Sequence, residues 1–132
     1  MEPVDVVREA TEAFGEGDLG RALSLIAEDI EWDNRGADAP GLEQVYHGHE
    51  GVMSLLTQIA DAFDEYAIVD PQYEARGQRV LVVAREFGRG LVSGVGDHRP
   101  LAVIYTVRAG RIARVSTHAD VEEARRRFAA GD

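Results

Sequence analysis

Val4, Val7, Thr11 and Phe14 recur at helical spacing behind Pro3, a residue suited to a first helical turn, and Gly15 and Gly17 close the segment. The pattern predicts an amphipathic helix. Asp18 follows as N-cap of a shorter helix burying Leu19, Ala22, Leu23 and Ile26, which makes a helical hairpin. Ile30 and Trp32 then alternate with Glu31 and Asp33 as in a half-buried strand, ahead of a loop rich in Gly, Pro and Asp from Asn34 to Gly41. A third helix begins after His47-Gly48-His49, with Glu50 in its first turn and Val52, Leu55, Leu56, Ile59 and Phe63 along one face. From Tyr66 the period changes to two. Tyr66 to Ala75, Arg79 to Ser93, Arg99 to Arg108 and Arg111 to His118 read as strands, separated by turns at Arg76-Gly77-Gln78, Gly94 to His98 and Ala109-Gly110. Asp120 caps a final helix to Ala130 that docks Val121, Ala124 and Phe128 and leaves Arg125-Arg126-Arg127 in water. Helices followed by a meander give an α+β domain with helices over one face of a curved antiparallel sheet.

Length and charge narrow the function. The 132 residues suit a single domain, 1–132, large enough to bury a core. Without cysteine, disulfides and thiolate chemistry are excluded. All fourteen basic residues are Arg against 24 acidic ones, and a net charge of −10 argues against nucleic acid, whose phosphates need a positive surface. There is no apolar run of about eighteen residues and no charged-then-apolar start, so no membrane partner and a cytoplasmic protein are expected. Gly88, Gly90, Gly94 and Gly96 lie between strands with no helix after them, which suits bends in a sheet and not a dinucleotide loop.

Five segments carry a resemblance: Gly17-Asp18, Ile30-Glu31-Trp32, Tyr46-His47-Gly48-His49-Glu50-Gly51-Val52, Tyr105-Thr106-Val107-Arg108-Ala109-Gly110-Arg111-Ile112, and Asp120-Val121-Glu122-Glu123-Ala124. In this order, over nearly the whole chain, they resemble the SnoaL-like group of the nuclear transport factor two superfamily. That implies a cystatin-like cone: a curved antiparallel sheet with the N-terminal helices packed on its concave face around an apolar pocket. The scaffold hosts isomerases, polyketide cyclases, epoxide hydrolases, dehydratases and proteins without chemistry, so it specifies fold better than function. It also implies a homodimer through the outer sheet face, for which Val80, Val82 and Ala84 offer apolar surface.

Asp33 is the first catalytic candidate. It follows Trp32 where the similar ketosteroid isomerases place their general base, and burial against the indole would raise its pKa. The resemblance sets Ala10 and Val103 at that family's two oxyanion donors, which argues against steroid isomerisation. Arg85 matches the arginine of the related epoxide hydrolases, with Phe87 in place of a neighbouring carboxylate; strand parity groups Arg85 with Leu81, Val83 and Phe87, and it either enters the pocket against Asp33, Glu31 or a substrate carboxylate or sits at the rim, paired across the sheet. Thr117 falls where the last strand of hydrolases and cyclases carries an acid, and a shift of one or two residues brings in His118 or Asp120. His47 and His118 suit acid–base work near neutral pH. His47, His49 and His118 are three nitrogens that make only a weak metal signal without a carboxylate at known spacing, so no metal is expected. Trp32, Tyr46, His49, Phe87, Tyr105 and Thr117 are candidate ligand-binding residues. The reading is a cofactor-independent enzyme moving protons on a small apolar carbonyl compound, or else a binding or protein-interaction module of the same fold.

Overall fold

The computed structural model describes residues 1–37, 44–90 and 96–131. Pro3 stands in the first turn of α1 (Pro3–Glu16), and Gly17, at φ 76°, closes it in the left-handed conformation that glycine adopts most readily. The Asp18 side chain accepts the Arg21 N–H and so caps α2 (Leu19–Ser24). Ile26, expected in that helix, instead opens β1 (Ile26–Gly36), and Asn34 to Gly36 prolong the strand into the expected loop. A three-residue strand, β2 (Val45–His47), leads into α3 (Gly48–Ala62). The meander follows as β3 (Phe63–Arg76), β4 (Arg79–Gly90), β5 (Gly96–Arg108) and β6 (Arg111–His118), and α4 (Val121–Ala130) ends the fold with Asp120 as its cap. The Ala109-Gly110 hairpin loop forms as expected, with φ values of 54° and 78° as a type I′ turn requires, and the turn expected at Arg76-Gly77-Gln78 tightens to Gly77-Gln78 because Arg76 stays paired in β3. Gly96 to His98 belong to β5, while residues 38–41 of the expected loop, Ser93 and Gly94 lie outside the described residues.

The six strands form one sheet in the order β2-β1-β6-β5-β4-β3. All neighbours are antiparallel except β1 and β6, which run parallel. Two apolar clusters sit on its opposite faces. On the concave face, Ile30, Val80, Val82, Ala84, Val103 and Val115 pack against Val6, Val7 and Ala10 of α1 and Val52 of α3. On the outer face, Leu81, Ala102 and Ile104 lie under Ala124 and Phe128 of α4. This corrects the face assignment on β4. Val80, Val82 and Ala84 are interior and offer no dimer surface, and the side shared by Leu81, Val83, Arg85 and Phe87 faces outward. The physical reason is α4: by covering the sheet from behind, it makes both faces of β4 apolar and removes the contrast from which parity picks an inside. Among the described residues no helix is long and apolar enough to cross a membrane.

Candidate functional site

Strand alternation decides which polar groups reach the concave interior. On β1, Ile30, Trp32 and Asn34 share the buried side, whereas Glu31, Asp33 and Arg35 point outward. Trp32 is in register with Val115 of β6 and with Tyr46 of β2, whose hydroxyl donates to Gln58 Oε1 on α3. Asn34 and Thr117 are both buried, and the Thr117 hydroxyl donates to Asn34 Oδ1 at 2.6 Å. The Trp32 indole N–H is buried with no hydrogen-bond partner among the described residues. A buried donor left unpaired costs on the order of 1–3 kcal/mol, so its position calls for an acceptor.

Toward α1 the same face carries Tyr73 and Tyr105, both packed against the core cluster that includes Val6, Val7 and Ala10. Burial pushes the Tyr105 hydroxyl up to about 12, and burial likewise raises Tyr73, so both stay neutral donors at physiological pH. Further along β4, Glu86 shares the concave side with Ala84; its carboxylate accepts from the Tyr66 hydroxyl and from Arg99 at 3.1 Å. Burial and the Glu86 charge raise the Tyr66 pKa.

Asp33, the first catalytic candidate, is on the other side. Its carboxylate takes the backbone N–H, Nε and NH2 of Arg35 at 3.0, 3.0 and 2.8 Å, and Arg114 at 3.4 Å. The Arg35 guanidinium holds its carboxyl down at about 2, the reverse of the rise expected from the indole, because neighbours on a strand face opposite ways and Trp32 does not cover it. Asp33 and His118 nevertheless meet, in a pocket of about 440 Å³ between the ends of β1 and β6 and the start of α4. Ser116 and His118 line its sheet side, with Ser116 Oγ 3.0 Å from His118 Nε2; Arg35, Asp120, Glu123 and Arg127 also line it. Burial, then the Arg127 charge, lowers the His118 pKa, which keeps the imidazole neutral near pH 7. Gly36 makes the pocket corner possible: a Cβ there would stand 2.8 Å from the Thr117 carbonyl oxygen.

The other candidates scatter. Arg85 points outward, pairs with Asp70 at 2.6 Å and is about half exposed. Phe87, on the same outer side, packs against the His98 ring with centroids 4.8 Å apart. His47 is exposed at the N-cap of α3 and makes no side-chain cap. His49 Nε2 is 2.9 Å from the Ile26 carbonyl oxygen, so it ties α3 to β1. These histidines form no metal-holding group with His118 among the described residues. Of the sequence candidates, Trp32, Tyr46, Tyr105 and Thr117 thus share the concave face, while Asp33, His47, Arg85, Phe87 and His118 are on the outer one. Sequence reading overlooked Asn34, although counting by twos from Ile30 reaches it, and Glu86, whose inward side follows once Val82 and Ala84 are known to be interior.

Residues 7–115 match the model of the SnoaL-like domain family. No curated protein matches the chain in sequence. Among solved structures it is similar to an NTF2-like protein of unknown function from Burkholderia pseudomallei, with TM-score 0.80 and 25% identity over 94% of this chain and 95% of that one. An NTF2-like protein from Burkholderia xenovorans gives TM-score 0.79 and 28% identity, with 94% and 93% covered. A candidate polyketide cyclase from Xanthomonas campestris shares the fold at TM-score 0.77 and 23% identity, with 92% and 93% covered.

Proposed function

The chain belongs to the SnoaL-like domain family, and from that premise we propose that its concave face takes a small, largely apolar carbonyl compound and moves a proton on it without a cofactor, in the isomerase, cyclase or dehydratase range. One observation carries the reading: the buried, unspent indole N–H of Trp32, on the same side as the Asn34 amide. Two side chains with N–H donors on one side of β1 suit an oxygen that gains negative charge, as an enolate does. Glu86 supplies the base in place of Asp33, which is turned outward and committed to Arg35. Tyr66 and Arg99 hold the Glu86 carboxylate in position, and the proton that the carboxylate takes from the carbon beside the carbonyl is the one it gives back to the enolate. Fold likeness to a candidate polyketide cyclase agrees with this class of chemistry.

A non-catalytic ligand-binding or interaction module of the same fold is the second reading. It is favoured by Ala10 and Val103, buried and apolar where the similar isomerases keep donors. One experiment separates the two. Small ketones are incubated with the protein in D2O, and deuterium at the carbon beside the carbonyl is followed by NMR. We expect exchange that Glu86→Gln abolishes, while Trp32→Phe weakens ketone binding. Saturable binding with no exchange above the uncatalysed rate would leave the module.

A further inference from the structure

The outer pocket lies across the sheet from the concave face, and most of its polar groups have capacity left after their internal contacts. Arg35 gives Nε and NH2 to Asp33, which leaves its NH1 edge. Arg127 gives Nε and NH2 to a single oxygen of Glu123, which leaves NH1 on the arginine and Oε2 on the glutamate. Asp120 uses Oδ1 to cap α4 and keeps Oδ2. Ser116 and His118 bond each other on the sheet side, and the neutral imidazole keeps Nδ1.

The lining therefore offers spare guanidinium edges and spare carboxylate oxygens together. Two arginines and three carboxylates line one space of about 440 Å³, within the usual size of a small-molecule site. A lone anion would meet three carboxylates on a chain of net charge −10; a lone cation would meet two guanidinium groups. A molecule with both charges satisfies both sets, and its carboxylate can take N–H groups from Arg35 and Arg127 in charge-assisted bonds. We propose that the outer pocket is a binding site for a small zwitterion, of the free α-amino acid class, with its carboxylate toward Arg35 and Arg127 and its ammonium toward Asp120 and Glu123. The site is independent of the proton-transfer reading, because the side chains that would hold the ligand, those of Arg35, Asp120, Glu123 and Arg127, are on the face away from Trp32, Asn34 and Glu86.

The test is an NMR titration of the full chain with each free α-amino acid, followed at the His118 ring and at the amides of Ser116 to Glu123. Acetate and methylamine serve as the separate halves of the ligand. We expect at least one amino acid to shift these signals saturably, and neither half to do so at the same concentration. Arg127→Gln and Arg35→Gln, both at exposed side chains, should each weaken that binding roughly tenfold, the loss of one charge-assisted contact. Trp32→Phe should leave it unchanged. Saturable binding of acetate or methylamine alone, shifts that both arginine variants leave intact, or no saturable shift with any amino acid would overturn the proposal.

Discussion

Trp32 and Asp33 are consecutive residues with opposite surroundings, and the difference has a pH signature. The Asp33 carboxyl is held at about 2 in the folded chain against 3.8 for a free aspartate, chiefly by its hydrogen bonds from Arg35. A carboxyl with a depressed folded pKa binds fewer protons folded than unfolded, so its stabilisation is complete above pH 4 or so and disappears as pH falls toward 2. Arg35 is largely exposed, and solvent screening reduces the contribution to about 1 kcal/mol. Asp33→Asn should therefore lower stability by about that amount at pH 7 and by almost nothing near pH 2. Urea unfolding of both proteins at the two values checks this. An equal difference at both would mean that packing, and not charge, holds Asp33.

At the scale of elements, α4 gives the sheet its second covered face. Phe128 is almost wholly buried over Leu81, Ala102 and Ile104, its carbonyl accepts from Arg79, and the Arg76 and Arg79 guanidinium groups stack on its ring. Phe128→Ala should cost about 3–4 kcal/mol of unfolding free energy, and should loosen Asp120, Glu123 and Arg127 at the outer pocket. Hydrogen exchange confined to α4 would show the helix detaching as a unit; uniform loss of protection would show a cooperative core instead.

The same helix explains how far the sequence could be read. Period-2 alternation and the Gly77-Gln78 and Ala109-Gly110 turns located the meander, and Asp18 and Asp120 marked two helix starts, because these signals are local. A three-residue β2 has too few residues for a period, and the parallel pairing of β1 with β6 joins segments more than eighty positions apart. Adjacency to Trp32 in sequence does not give Asp33 contact with the indole, and β4, apolar on both sides, gives no sign that Val80, Val82 and Ala84 are the inner set. Asn34 and Thr117 carry a burial that only the assembled sheet creates.

For the molecule as a whole, the expected dimer has to find another surface than Val80, Val82 and Ala84. The outer face beyond α4 runs over Val69, Arg85, Phe87 and Pro100, where Phe87 is only half-buried beside His98. We expect a second copy to seat there with two-fold symmetry, so that Phe87 of each copy covers the other patch. The opposing effect is charge: each copy carries −10, and two such copies repel over a Debye length of about 30 Å at 0.01 M salt but only about 8 Å at 0.15 M. Light scattering should then give twice 14.4 kDa at the higher salt and a larger share of monomer at the lower, with Phe87→Arg monomeric at both. The salt direction separates causes. Association that salt strengthens reports an apolar contact working against net charge, whereas association that salt weakens would point to ion pairs across the interface, with Arg85 and Asp70 exchanging partners between copies. A 14.4 kDa species at both salts and micromolar concentration would make the chain a monomer and leave the outer face to the pocket alone.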